Sequence, residues 1–246
     1  MGFLRSWGSK RAATFIYVLP TLAIALHAET VQEIAGAVVF ARGGQTKIAS
    51  VQTERLSGRI LTADREGSFV LELKRPNKIR MEIVLDGASV VQSSDGHTGW
   101  KLDPLSSGTA PRKMSDAEAK ELAANLDLDE PFIDFERKGT SIEIVDTELL
   151  GPSLVWRLKL TLKSGAIEYY FVETTGHFVL ARERTLGDKG AETRFYDDFR
   201  RVQGLLFPFA ITSMASPGVF KFQVEKLDID IPIDDAEFTM PAKASK

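Results

Sequence analysis

The chain has 246 residues, of which 43% are hydrophobic and 26% are charged, and its formal net charge at pH 7 is −3. This composition is that of an ordinary globular protein and excludes a wholly disordered chain. The sequence has no cysteine, which excludes a disulfide scaffold and a lipoprotein acylated on an N-terminal cysteine. The negative net charge argues against nucleic acid as a partner, because a nucleic-acid-binding protein needs clustered Lys and Arg.

The N-terminal segment differs from the rest of the chain. Basic residues precede an apolar run from residue 12 to residue 26, and Ala28 follows shortly after it. This order is typical of a secretory signal peptide, so we predict that residues 1–28 are a signal peptide cleaved after Ala28. The apolar run is shorter than the roughly 20 residues of a spanning helix. An uncleaved N-terminal anchor is the alternative, because Leu26 is a poorer residue than alanine three positions before the cut.

The remaining residues, 29–246, are predicted to form one domain that begins with a helix. Thr30 and Glu33 have the spacing of a capping box, in which each residue's side chain accepts a hydrogen bond from the other's backbone. Apolar residues then recur at helical spacing until Gly43-Gly44, which ends the helix. After this helix we predict a first strand at about residues 48–57 and a second at about residues 58–63.

Residues 69–104 read as four consecutive strands with no helix between them. In the second of these strands, Met81 and Ile83 alternate with Arg80, Glu82 and Val84, and this period of two puts one apolar face inward. The dipeptides Asp86-Gly87 and Asp95-Gly96 are typical of tight hairpin turns. The segment therefore predicts an antiparallel meander with one apolar face.

Two short helical segments interrupt the series of strands. Residues 104–112 are rich in Ser, Gly, Thr and Pro and predict a loop. Ser115 and Glu118 then have the spacing of a second capping box. A further helical turn is predicted from Pro131, which is favoured at the first helical position, to Gly139. We expect these segments to fold back over the open sheet.

Strands resume at residue 142 and continue to about residue 231, which brings the predicted number of strands to about eleven. The clearest half-buried strand contains Leu158 and Leu160, which alternate with polar residues. The chain is thus mainly β with a few helices. Such a long meander closes into a barrel or curls into an incomplete one, and in either case alternate residues line the interior. The simplest interpretation of that apolar lining is a packed core without a ligand.

Catalytic and metal-binding signatures are missing from the sequence. There is no HxH or HExxH spacing, no GxSxG, no GxGxxG and no phosphate-binding loop. Asp95, His97 and Asp103 are close enough to imagine a hydrolytic site, although turn-forming aspartates and an exposed histidine explain the same residues. We therefore predict a binding protein rather than an enzyme, with no cofactor and no metal.

Short motifs span nearly the whole of residues 29–246, in this order: ARGG at 41–44, Gly58, LKRPNKIR at 73–80 with Met81-Glu82, DGHTGW at 95–100, FYDDFR at 195–200 with GLLFP at 204–208, and Phe238 with Pro241. This series resembles the outer-membrane lipoprotein-sorting or carrier family, the LolA-like and LolB-like proteins of the periplasm. Each motif is short, so the resemblance rests on their order.

The resemblance implies a strongly curved, incomplete antiparallel barrel whose opening is covered by helices. It further implies an apolar cavity that holds acyl chains of lipoproteins or lipids without catalysis, in a periplasmic protein that acts as a monomer and hands its cargo to an envelope partner. Ordinary core packing is the alternative for every residue predicted to line that cavity. These residues are Leu71, Met81, Ile83, Trp100, Leu122, Leu126, Phe132, Phe135, Leu158 and Leu160.

Two other functions stay open at this point. The first is an envelope sensor or scaffold domain of the same fold, whose interior is filled by its own side chains and which binds a protein partner. The second is an exported hydrolase built around His97 and its neighbouring aspartates.

Overall fold

The structure is a computed structural model that describes residues 29–106, 108–123, 128, 131–186, 190–216 and 218–241. Residues 1–28, where the signal peptide is predicted, lie outside the described residues. The helices are α1 (Val31–Arg42), α2 (Gln45–Ser50) and α3 (Asp116–Ala123), and Asp235–Phe238 forms a 3₁₀ turn. The strands are β1 (Thr53–Leu61), β2 (Glu66–Lys74), β3 (Lys78–Leu85), β4 (Ala88–Ser94), β5 (Gly99–Asp103), β6 (Gly108–Lys113), β7 (Ser141–Leu150), β8 (Ser153–Thr161), β9 (Ile167–Glu173), β10 (Val179–Thr185), β11 (Ala191–Val202), β12 (Leu205–Ala215) and β13 (Gly218–Ile229).

The strands of the described residues form one antiparallel sheet that is not closed. Their order is β6-β5-β4-β3-β2-β1-β13-β12-β11-β10-β9-β8-β7. Only β1 and β13 pair across a long sequence separation; every other pair joins strands that follow one another along the chain. The two edges, β6 and β7, do not pair with each other. The predicted fold class, mainly β with an open antiparallel sheet and few helices, is confirmed.

The predicted start and end of α1 are confirmed. The backbone N–H of Glu33 donates to Oγ1 of Thr30 at 3.3 Å, and the backbone N–H of Thr30 donates to Oε2 of Glu33 at 2.8 Å. This is the reciprocal capping box. Gly43 has a φ of 137° and its N–H bonds back into the last turn, so the helix ends where the glycine pair predicts.

The two predicted strands at about 48–57 and 58–63 are wrong. Residues 45–50 form α2 instead, and one continuous strand, β1, follows from residue 53 to residue 61. Gly58, taken as the start of a strand, lies in the middle of β1 beside a β-bulge in β13, where Glu225 is the extra residue. A bulge needs a close backbone approach, and glycine permits it because it has no Cβ.

Thirteen strands are present among the described residues rather than about eleven. The predicted loop at 104–112 contains most of β6, which pairs with β5. The capped helix after Ser115 is confirmed as α3, with hydrogen bonds between Ser115 and Glu118 in both directions. Residues 131–139 form consecutive hydrogen-bonded turns, as expected for a short helical segment.

The register of the strands determines which residues share a face of the sheet. Leu71 of β2 lies opposite Met81 of β3, and Phe69 lies opposite Ile83. Directly opposed residues of an antiparallel pair point to the same side. The apolar residues of the predicted meander therefore form one continuous face, which we call the inner face because α1, α2 and α3 pack on it. Among the described residues, we find no helix with the length and hydrophobicity of a transmembrane span.

Two glycine-to-alanine changes test the role of the bulge in the pairing of β1 with β13. A Cβ at Gly58 would lie 2.0 Å from the carbonyl oxygen of Gln223, so Gly58→Ala forces the backbone of the bulge to shift. We expect a loss of on the order of 2 kcal/mol or more in the free energy of unfolding. Gly36→Ala, within α1, meets no atom within 4 Å. We expect it to stabilise the protein by up to about 1 kcal/mol.

The measurement is urea unfolding of the two variants and the wild type, followed by circular dichroism. Equal effects of the two changes, or a neutral Gly58→Ala, would contradict the assigned pairing at the bulge.

Candidate functional site

The inner face of the sheet carries two separate apolar clusters. Apolar cluster 1 lies on β1–β3, β12 and β13 and under α2 and α3. Its buried members include Ile48, Ile60, Phe69, Leu122, Phe207 and Val224. This cluster lies where the first and last strands of the described residues, β1 and β13, pair with each other.

Apolar cluster 2 lies on β7–β9 and under α1. Helix α1 places its buried stripe, Ile34, Ala35 and Val38, onto this part of the sheet. Phe132, from the turns at 131–139, packs edge to face against Tyr170 of β9, with ring centroids 5.3 Å apart. Helix α1, helix α3 and residues 131–139 together are called the cover. Within the cover, Val39 of α1 packs against both clusters.

Four of the residues predicted to line a cavity are found at cluster 1. Leu71, Met81 and Ile83 are partly buried and pack against the cluster from β2 and β3. Leu122 of α3 is buried within it. The strand residues are thus side by side on the inner face and still reachable from solvent, whereas Leu122 lies on the side of α3 that faces the sheet.

Four more predicted residues are found at cluster 2. Phe132, Leu158 and Leu160 are buried in it, and Phe135 packs against its edge. Leu158 and Leu160 are 1% and 0% exposed, so a ligand could reach them only if the cover moved. Leu126 lies outside the described residues.

Trp100 lies on the other side of the sheet. Its register partner is Ser93, which in turn opposes Arg80, so Trp100 belongs to the face opposite Met81. There its Nε1 donates a hydrogen bond of 2.9 Å to the carbonyl oxygen of Phe238. Ser93 donates to the same oxygen at 3.0 Å. Trp100 therefore anchors the C-terminal segment and is not brought together with the other predicted residues.

The side chain of Arg75, in the turn between β2 and β3, has a structural role that the sequence did not reveal. In the sequence, the motif Arg75-Pro76-Asn77 is explained by turn geometry. In the structure, the guanidinium of Arg75 also donates to the carbonyl oxygen of Val51 at 2.6 Å and to those of Ile48 and Leu128 at 3.3 Å each. The carbonyls of Ile48 and Val51 lie at the C-terminal end of α2, where a helix supplies few N–H partners of its own. Arg75 thus fixes α2 and residue 128 against the sheet.

A group of charged side chains on β9, β10 and β11, here called the charged ladder, lies between the two apolar clusters. Its first pair joins Arg182 and Glu168, with Nε and Nη2 of the arginine donating to the two carboxylate oxygens at 3.0 and 2.7 Å. The hydroxyl of Tyr170 also donates to Glu168, at 3.1 Å. Burial opposes the charge on Arg182, but Tyr170 and the carboxylate of Glu168 outweigh it and raise the pKa of Arg182.

The second part of the charged ladder surrounds Glu192. Nε of Arg184 donates to one of its oxygens at 2.6 Å, and Arg194 donates to the other from Nε and Nη2 at 2.9 and 2.8 Å. The hydroxyl of Ser213 donates to that same oxygen at 2.8 Å. Although burial opposes ionisation, the charges of Arg194 and Arg184 and the bond from Ser213 lower the pKa of Glu192 to about 2.

A cavity of about 180 Å³ opens beside the charged ladder and beneath the C-terminal end of α1. Its apolar lining includes Val38, Phe178, Val179, Phe199, Leu206 and Pro208. Its polar lining comprises three arginines, Arg42, Arg182 and Arg194, together with His177, Tyr170 and Tyr196. Among the described residues that line it there is no aspartate or glutamate. The cavity therefore combines an apolar wall with a cationic one.

Two wider surface grooves flank residues 131–139. One, of about 530 Å³, separates these turns from α1, and the other, of about 710 Å³, separates them from β7 and β8. Phe135 lines both grooves. The segment 131–139 is thus bordered by grooves on two sides.

The residues considered for a hydrolytic site have other roles in the structure. Oδ1 of Asp95 accepts the backbone N–H groups of His97 and Thr98 at 2.9 and 2.7 Å, which closes the turn. Asp103 likewise accepts backbone N–H groups, from Leu105 and Ser106. The side chain of His97 is exposed. In the described part of the chain, no group of three or more His, Asp or Glu side chains is placed to hold a metal ion.

Sequence reasoning missed the charged ladder. The available signal was the alternation in β9, β10 and β11, where charged residues occupy inward positions such as Glu168, Arg182 and Glu192. Charged side chains at alternate strand positions normally face solvent, so the pattern alone favours an exposed face. Only the register, which places Arg182 opposite Arg194 and Arg184 opposite Glu192, shows that they meet under the cover.

Comparison with known proteins identifies the fold. No protein-family model matches the chain, and no curated protein matches its sequence. A DUF1329-family protein from Desulfovibrio piger has a similar structure, with a TM-score of 0.57, 12% identity, and 86% of this chain and 98% of that chain covered. A LolA-superfamily protein from Nitrosomonas europaea gives a TM-score of 0.54 at 14% identity, with the same coverage.

A candidate outer-membrane lipoprotein-sorting protein domain from Vibrio parahaemolyticus is also similar, with a TM-score of 0.53, 9% identity, and 84% of this chain and 95% of that chain covered. The chain therefore has a LolA-like fold, in agreement with the resemblance seen in the sequence motifs. At these identities the likeness establishes the fold.

The low pKa of Glu192 predicts a specific dependence of stability on pH. The pKa falls from 4.5, its ordinary value, to about 2 in the folded protein. The charged form is therefore favoured on folding, so the stabilisation is present above pH 4.5 and is lost as pH falls from 4.5 towards 2. A shift of this size corresponds to roughly 3 kcal/mol. We expect Glu192→Gln to lower the free energy of unfolding most above pH 4.5, and progressively less in acid.

Urea unfolding of wild type and variant across this pH range measures the difference. Glu66→Gln, which removes a carboxylate from an exposed ion pair with Arg59, is the matched control. A difference between wild type and Glu192→Gln that does not change with pH would contradict the assigned role of the charged ladder.

Proposed function

We propose that this protein is a periplasmic lipoprotein-sorting or carrier-like protein that holds acyl chains of a lipid or lipoprotein between the inner face of its sheet and the cover, without catalysis. The LolA-like fold supports this proposal, because structural neighbours include a candidate lipoprotein-sorting domain. In this proposal the protein is exported by the signal peptide predicted at residues 1–28, acts as a monomer, and passes its cargo to an envelope partner.

The observation that carries the proposal is the division of the inner face into two apolar clusters under a cover made of separate short elements. Each buried methylene of an acyl chain contributes about 0.8 kcal/mol. The cover now buries the apolar surface of both clusters. An acyl chain that took the place of the cover on either cluster would bury the same surface. Binding then exchanges the contact between cover and cluster for a contact between acyl chain and cluster, and release reverses this exchange. No covalent step is needed.

The cavity beneath α1 is too small for a whole acyl chain, so the proposal includes a movement of the cover. Pockets that enclose small organic ligands have volumes of roughly 300–1,000 Å³, whereas the cavity beneath α1 has about 180 Å³. In this proposal, the cover therefore moves away from the inner face when a whole acyl chain binds. The turns at 131–139, which have grooves on two sides, are the part of the cover that we assign to the opening movement.

The lining of the proposed acyl site consists of the predicted residues that lie on the inner face or beneath the cover. Leu71, Met81 and Ile83 offer partly exposed contacts on β2 and β3, so they need the smallest movement of the cover. The remaining residues, which become accessible when the cover opens, are Leu122, Phe132, Phe135, Leu158 and Leu160. Trp100 is assigned to the anchoring of the C-terminal segment instead.

Binding of a fluorescent long-chain fatty acid tests the proposal. We expect saturable uptake by the wild type. Met81→Gln should weaken binding about tenfold, because it replaces an apolar contact with the acyl chain by a polar one. Met214→Gln is the matched control and should bind as the wild type does. It makes the same replacement on β12, where Met214 is 46% exposed and, as the register partner of Thr193, lies on the face opposite the inner face.

Unfolding in urea verifies that both variants are folded under the binding conditions. Absence of uptake by the folded wild type would refute the proposal and favour the alternative, a domain of the same fold that binds a protein partner. Equal weakening by Met81→Gln and Met214→Gln would show that the acyl chain does not bind at the inner face.

A further inference from the structure

The cavity beneath α1 has a lining that an acyl chain alone does not explain. Three of its side chains are arginines, and two of these, Arg182 and Arg194, project from neighbouring strands within the sheet. Burying charged groups is costly, and an apolar filling of the same volume would serve a purely structural purpose at least as well. The cationic wall therefore indicates a polar ligand at this place.

The register holds the two arginines of the sheet side by side. Arg182 lies directly opposite Arg194, and Tyr170 lies opposite Arg182 on the other side. The Cβ atoms of such a pair are about 4.5–5.5 Å apart, and like charges at this distance repel each other. Glu168 binds Arg182, and Glu192 binds Arg194. Neither glutamate is among the residues that line the cavity.

The third arginine comes from the cover. The guanidinium of Arg42, in the last turn of α1, lies 4.6 Å from the centre of the Phe207 ring. Arg42 thus lines the cavity from α1, whereas Arg182 and Arg194 line it from the sheet. A guanidinium has five N–H donors in a planar fork, so it can bind a protein carboxylate or carbonyl and a ligand oxygen at the same time.

The cavity adjoins both apolar clusters. Val38 and Tyr170 line it and belong to cluster 2, and Phe207, against which Arg42 packs, belongs to cluster 1. A ligand group in the cavity would therefore have apolar surface on either side. The volume of about 180 Å³ suits a compact head group and not a whole lipid.

We propose that this cavity binds the anionic head group, a carboxylate or a phosphate, of an amphiphile whose acyl chain lies against the neighbouring apolar cluster. Arg42, Arg182 and Arg194 donate to the head-group oxygens. This inference rests on the proposed function and adds the class of ligand, an anionic amphiphile. A neutral amphiphile of the same length lacks the charged contact with the three arginines. Charge-assisted hydrogen bonds to planar oxygen pairs are the strong interaction that arginine provides.

Calorimetric titration of the full protein with dodecanoate, dodecyl phosphate and dodecanol tests the inference. The three probes share one chain and differ in the head group. We expect both anions to bind the wild type at least about tenfold more tightly than dodecanol does. Arg42→Gln should weaken both anions about tenfold and leave dodecanol unchanged. Arg59→Gln, an exposed arginine on β1 paired with Glu66 and Glu225, is the matched control and should change nothing.

The outcomes separate this inference from the proposed function. Equal affinity of the wild type for the anions and for dodecanol would overturn the head-group site and leave acyl binding standing. Failure of all three probes to bind would overturn acyl binding, and the head-group site with it. Inorganic phosphate that binds as tightly as dodecyl phosphate would indicate a site for free anions and would likewise overturn the inference. The comparison among ligands uses the wild type, so it does not depend on the folding of a variant.

Discussion

An open sheet with one apolar face must have that face covered, and the rest of this structure follows from that constraint. A closed barrel would bury its interior by itself, but here β6 and β7 remain separate edges. The cover is therefore built from short elements that the chain inserts before β1 and between β6 and β7. These elements are short and come from different parts of the chain, and in the proposed function they move while the sheet stays folded. Val39 of α1 is the point at which the cover packs against both clusters.

The charged ladder adds charged groups to an otherwise apolar inner face. It places arginines and glutamates between two apolar clusters, where each arginine is bound by a carboxylate on the same sheet. Such a group stabilises the fold only while its partners remain ionised, so it links the sheet to pH. It also gives the cavity under α1 a cationic wall beside an apolar one. In the proposed function the apolar clusters provide affinity for the chain, and the charged ladder distinguishes among head groups.

Local patterns in the sequence predicted those features that depend on local interactions. The capping boxes at Thr30 and Ser115 are confirmed, because their partners lie three residues apart. Alternation predicted the strands around Met81 and Leu158. The pairing of β1 with β13 and the bulge at Gly58 were missed, since both depend on residues about 170 positions away in the chain. The face on which Trp100 lies depends on the register of β3, β4 and β5. The sequence of a single strand does not reveal that register.

The central claim is that the cover and an acyl chain compete for the same apolar face, so that cargo displaces the cover. Spin labels at residue 137 in the turns and at residue 59 on β1, both exposed positions, would report this movement by pulsed electron resonance. A second label pair, at residues 36 and 59, would report movement of α1. We predict that saturating long-chain fatty acid shifts at least one distance distribution to longer values, with the sheet intact by circular dichroism. Unchanged distributions for both pairs with the fatty acid bound would contradict the claim.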